Sequence, residues 1–111
     1  MISLALALAG AAPNLKAVDD GNLALTSCRF AVMRAETSKG FDKDRVAAAL
    51  ASRCTTEEAS LRRSMIAAKV ARGMSPPAAA AAADHLLIKT RSDLVAQFAR
   101  WAAQGLLEPP R

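Results

Sequence analysis

Asn22-Leu-Ala-Leu-Thr-Ser-Cys28-Arg-Phe-Ala-Val32-Met-Arg-Ala-Glu-Thr37, the breaker Ser38-Lys-Gly40-Phe41, and Asp42-Lys-Asp-Arg-Val46-Ala-Ala-Ala-Leu50-Ala-Ser-Arg-Cys54 together decide the fold. In the first part Leu25, Cys28, Val32 and Ala35 recur at helical spacing and form one stripe. Gly40 suits the left-handed residue that follows a helix end, and Asp42 suits the cap of a new helix. In that helix Val46, Leu50 and Cys54 repeat every four residues on one face. Folding the two helices back on each other gives a hairpin. Cys28 then lies about nine residues before the turn and Cys54 about eleven after it. At about 1.5 Å per residue the two thiols come level to within about 3 Å. Cys28 and Cys54 are the only cysteines in the chain. The geometry therefore predicts a disulfide, whose loop closure stabilises by roughly 3.5 kcal/mol in the chain-entropy model. With no Cys-X-X-Cys motif, the pair reads as structural and not as a redox centre.

Upstream lies Met1-Ile-Ser-Leu-Ala-Leu-Ala-Leu-Ala-Gly-Ala-Ala12. Ile2 to Ala9 is an apolar run broken only by Ser3. It is too short for a bilayer, which needs about 20 residues. Ala9-Gly10-Ala11 supplies the small residues that a signal peptidase accepts. The expectation is a signal peptide over residues 1–11 and a single helical domain over 12–111. No Lys or Arg precedes the run, so the positive start of the signal is the amino terminus alone. Leader and disulfide agree on an oxidising compartment, the periplasm or the exterior of the cell.

Beyond the hairpin the pattern stays helical. Thr55 with Glu58 has the form of a capping box opening a third helix, through Leu61, Met65, Ile66, Ala68 and Val70 to a stop at Gly73. Ser75-Pro76-Pro77 reads as a further start, with Ser75 as cap and Pro76 in the first turn. Ala78 to Ala83 is an unbroken alanine run and so favours helix. Leu94, Val95, Phe98 and Trp101 form the strongest apolar stripe of the chain. Ser92-Asp93 offers a second cap, so residues 76–104 read as one helix or two. Gly105 ends the pattern, with Leu106 placed for the hydrophobic contact after a glycine stop. No strand pattern occurs. The fold class is all-α, a small bundle of four to five helices with the stapled hairpin at its N-terminal side.

Half of the residues are apolar, but alanine supplies much of that share, so the core of the 111-residue chain is thin. Alanine buries far less area than leucine, which makes a covalent staple or a partner surface valuable. The net charge is +5 and arginine outnumbers lysine two to one. Arg62, Arg63, Lys69 and Arg72 cluster on the third helix and form a possible surface for an anionic partner. Aromatic platforms for single-stranded nucleic acid are missing.

The sequence carries no motif that nominates a reaction. His85 is the sole histidine and has no companion ligands at metal-site spacing, and the two cysteines lack nearby histidines. Asp19-Asp20 and Glu57-Glu58 read as helix-start charges and not as an acid–base pair. Neither a Gly-rich phosphate loop nor a Gly-X-Ser-X-Gly elbow is present. No cofactor or metal is implied.

Val70-Ala-Arg-Gly-Met-Ser-Pro-Pro77 and Ala83-Asp-His-Leu-Leu-Ile-Lys-Thr-Arg-Ser-Asp-Leu-Val95 resemble pieces of a response-regulator helix-turn-helix. The stretch between Ala79 and His85 is too short to hold the recognition helix that reads bases in that family, and no family is assigned. The sequence thus points to a small exported helical protein with a structural or partner-binding role. A homodimer through Ala78 to Ala83, or through the Leu94, Phe98 and Trp101 stripe, is one form that partnership could take. The alternative is a basic cytoplasmic helical domain that binds nucleic acid.

Overall fold

The computed structural model describes residues 14–107. Among these there are four helices and no strand: α1 (Leu15–Thr37), α2 (Lys43–Arg53), α3 (Thr55–Ala71) and α4 (Pro76–Ala103). The expected signal peptide lies outside the described residues.

Helix α1 starts seven residues before the expected Asn22. Asn14 caps it, its side-chain oxygen accepting from the Ala17 amide at 3.0 Å, so the helix gains two turns ahead of its apolar stripe. Asp19 and Asp20 consequently sit in its second turn and not at its start. Gly21 lies within α1 for a packing reason. A Cβ there would stand 3.0 Å from Leu61 Cδ1 and 3.4 Å from Leu61 Cα, so glycine allows α1 and α3 to approach closely.

The buried face of α1 is Leu25, Arg29, Val32, Met33 and Glu36. Ala35, expected on the stripe, is exposed, and Cys28 lies at its half-buried edge. Gly40 takes φ +89° as the left-handed residue of the following turn. Asp42 caps α2 as expected, accepting from the Arg45 amide at 2.9 Å.

Cys54 does not continue the face of α2. It is the single residue between α2 and α3, with α3 opening immediately at Thr55. The expected capping box is therefore displaced: Thr55 is already helical, and no side chain caps α3. Glu57 and Glu58 still place negative charge in its first turn, where the helix dipole favours it. Glu58 bonds across the fold instead of back to its own helix.

After α3, Gly73 adopts φ +103°, and the Met74 amide returns to the Lys69 carbonyl at 3.1 Å. This satisfies carbonyls that the helix end leaves free. Ser75 caps α4 through the Ala78 amide at 3.3 Å. From there α4 runs unbroken for 28 residues, so Ser92 and Asp93 are interior positions and the segment is one helix. Leu106 is exposed; Leu107 instead packs against the core.

Helix α1 packs on α2 and α3, and α4 packs on α3 and α2. Met33, Val46, Leu50 and Cys54 are fully buried at the centre, joined by Leu25, Leu61, Met65, Leu87 and Phe98. Phe98 also meets Phe30 edge-on at 5.9 Å between ring centroids and Trp101 at 5.0 Å. The strongest sequence stripe is thus spent on the chain's own core. Ala79 and Ala83 are likewise buried within the chain.

Candidate functional site

The disulfide between Cys28 and Cys54 is formed, with Cα atoms 6.0 Å apart across 26 positions of sequence. It fastens the middle of α1 to the α2–α3 junction. With both thiols consumed, no described cysteine is free for nucleophilic or redox chemistry.

The basic residues of α3 do not act as one free surface. Arg62 forms a two-pronged pair with Asp84 of α4, Nε to Oδ1 at 2.6 Å and Nη2 to Oδ2 at 3.3 Å. Hydrogen bonding to Arg62, reinforced by its charge, holds the Asp84 carboxyl below its ordinary range against the opposing effect of burial. Arg63 is exposed. Lys69 and Arg72 lie at the other end of α3, beside Leu15, Val18 and Leu86. The spacing on the helix was legible; the partner waiting for Arg62 on α4 was not.

Two charged side chains of α1 are buried, which apolar periodicity does not mark. Arg29 is 6% exposed and Glu36 is 1% exposed. Arg29 Nη1 donates to Thr90 Oγ1 at 2.8 Å, and its Nη2 donates to Glu58 Oε1 and to the Leu87 carbonyl, each at 3.2 Å. Arg91 Nη1 donates to the same Glu58 oxygen at 3.4 Å. Two guanidiniums therefore share one carboxylate where α1, α3 and α4 meet. The Nε–H of Arg29 is buried and has no acceptor. A buried donor without a partner is unusual, because it forfeits water and gains nothing in return.

Glu36 ties the turn between α1 and α2. Its carboxylate accepts from Arg45 Nε at 2.7 Å and lies 3.2 Å from Arg53 Nη2 and 3.7 Å from Lys39 Nζ. The Arg45 hydrogen bond, with the charges of Lys39, Arg53 and Arg45, lowers the Glu36 pKa against the upward push of burial. Arg45 Nη2 also donates to the Glu36 and Gly40 carbonyls, so one side chain spans the whole turn.

Three hollows adjoin these groups. A groove of about 410 Å³ between α3 and α4 is lined by Glu58, Arg62, Asp84 and Arg91, charges already paired with one another. A cavity of about 120 Å³ between α1, α3 and α4 is lined by Asn22, Thr26, Arg29 and Thr90 together with leucines and Met65. A more open hollow of about 200 Å³ carries Leu15, Val18, Lys69 and Arg72. The last two share Asn22, Met65 and Leu86. Among the described residues no three His, Cys, Asp or Glu side chains group as metal ligands. His85 is exposed.

Comparison with known proteins finds no family model that matches the chain, no matching curated protein and no matching solved structure. Among the described residues no helix is long and apolar enough to cross a membrane.

Proposed function

We propose that this chain is a small exported protein of the periplasm or cell exterior, with a structural or partner-binding role and no catalysis. Its α1 and α2 would act as a stapled helical hairpin within a four-helix bundle. The observation that carries the reading is the Cys28–Cys54 bridge. Disulfides persist in oxidising compartments and are rare where thiol reductants dominate. The apolar leader with Ala9-Gly10-Ala11 supports the same compartment from the sequence side. The main charged contacts support a scaffold role: Arg29, Glu36, Glu58, Arg62 and Asp84 join one helix or turn to another.

Mass spectrometry of the native product under non-reducing conditions tests this. The expected species lacks the leader and is lighter by the two hydrogens lost on oxidation. An intact leader with two free thiols would overturn the proposal.

A further inference from the structure

Positive charge in excess of its partners gathers at the turn between α1 and α2. Lys39, Arg45 and Arg53 all approach the one carboxylate of Glu36, Arg45 at Oε2 and the other two at Oε1. Glu36 is buried beneath them, while the three cationic side chains are each about half exposed. An anion arriving from solvent therefore meets the cations and not the carboxylate. The excess remains when sequence neighbours are included. Arg34 and Lys43 add two cations and Asp42 and Asp44 two carboxylates, so over residues 34–53 five cations face three carboxylates. Asp42 is committed to capping α2. We infer that Lys39, Arg45 and Arg53 form a docking site for a dianionic tetrahedral oxyanion of the phosphate type, free or as the phosphomonoester head group of a lipid.

Geometry and charge select that class. Lys39 Nζ lies 3.7 Å and Arg53 Nη2 3.2 Å from the same Glu36 oxygen, so the two nitrogens are at most about 7 Å apart. A tetrahedral oxyanion accepts charge-assisted bonds of about 2.8 Å on several oxygens and so bridges donors at that separation. Arg45 spends Nε and Nη2 on Glu36 and on the Gly40 carbonyl, which fixes the guanidinium and leaves Nη1 for another acceptor. Arg53 reaches Glu36 through Nη2, with Nη1 uncommitted among the described residues. Two planar guanidiniums beside an ammonium suit an acceptor with several oxygens. A dianion balances an excess of two positive charges, which a carboxylate would only halve. The cluster is pinned by Glu36 and contains neither a cysteine nor a leader residue, so it does not depend on the export reading.

The test is titration of the oxidised full chain with phosphate, sulfate and acetate at matched ionic strength and slightly alkaline pH, read from the side-chain Nε–H signals of Arg45 and Arg53. A local signal is needed because sulfate and phosphate stabilise folded chains in general through exclusion from their surfaces. Saturable shifts at both residues are expected with phosphate and sulfate, and acetate should bind about tenfold more weakly, the loss of one charge-assisted contact. Arg53→Gln leaves Glu36 with Arg45 and Lys39, and should weaken phosphate by about the same factor. Lys39→Gln should weaken it severalfold, and Lys69→Gln with Arg72→Gln, at the far end of α3, should leave it unchanged. Vesicles of phosphatidylcholine with and without phosphatidic acid separate the two sources: retention by phosphatidic acid that Arg53→Gln abolishes assigns the lipid head group, and no retention assigns the free anion. The inference is overturned by absence of saturable shifts, by acetate binding as tightly as phosphate, or by an equal loss from the Lys69 and Arg72 changes and from Arg53→Gln. Should Arg53→Gln fail to fold, Lys39→Gln in the exposed turn decides the matter, and unchanged phosphate binding there would overturn it.

Discussion

Arg29 of α1 reaches Glu58 of α3 at 3.2 Å, although 29 positions of sequence separate them. The pair is asymmetric, because Arg91 also approaches the Glu58 carboxylate, at 3.4 Å. Removing Glu58 strands two cations, whereas removing Arg29 leaves the carboxylate with its second partner.

That asymmetry is measurable. Glu58→Gln should lower stability by about 3 kcal/mol, the lower end of the range for breaking a buried ion pair. Arg29→Met conserves much of the volume and should cost less, about 1–2 kcal/mol. Urea denaturation of both variants checks the order; equal losses would mean that Arg91 does not compensate.

The Glu36 cluster predicts a pH dependence. A carboxyl whose pKa is lowered by folding contributes stability that is complete above the ordinary carboxylate range, and that contribution is lost as pH falls through the lowered folded value. The thermal midpoint should therefore drop on acidification through and below that range. Glu36→Gln should be less stable at neutral pH and show a shallower acid slope. Asp84 acts in the same direction, but it is half exposed and solvent screens its pair with Arg62, so Asp84→Asn should flatten the slope less. Parallel slopes for wild type and Glu36→Gln would contradict the assignment.

Gly21 gives a test of helix contact against helix propensity. Alanine is favoured over glycine inside a helix by about 1 kcal/mol. Here its methyl would meet Leu61 at 3.0 Å. Gly21→Ala should therefore gain little or nothing, and Gly21→Val should destabilise by about 1–3 kcal/mol through overpacking. A clear stabilisation by valine would show that α1 and α3 can separate freely at this point.

Reduction should expose how thin the core is. Replacing both Cys28 and Cys54 by serine, or adding a thiol-free reductant, should cost about 2–5 kcal/mol. Urea midpoints of the oxidised and reduced chains measure the loss directly. Identical midpoints would mean that burial alone holds α1 against the α2–α3 junction.

The bridge was legible in outline from the helical spacing on either side of Gly40, although Cys54 lies at the α2–α3 junction and not on the face of α2 that the spacing assumes. Apolar residues mark the stripe around it only in part. Counting apolar residues selected Leu25, Cys28, Val32 and Ala35, whereas the buried face runs through Leu25, Arg29, Val32, Met33 and Glu36. Arg29 and Glu36 stand four and eleven positions after Leu25, spacings that keep them on its face. Their positions carried a signal that their charges masked. What the sequence could not supply was their partners: Glu58, Thr90 and Leu87 lie on other helices, and only the tertiary fold brings them within reach of Arg29. Likewise, the alanine run and the stripe of Phe98 and Trp101 suggested a dimer face, but periodicity marks an apolar surface without saying which chain covers it.

Helix α2 is the shortest of the four, and it is held at both ends by chemistry that a reducing environment or acid would undo. Arg45 and Glu36 secure its start, and the Cys54 bridge secures its end. Losing either fastening alone frees one end of α2 while the other still tethers it, so the helix would detach by swinging about whichever end remains held.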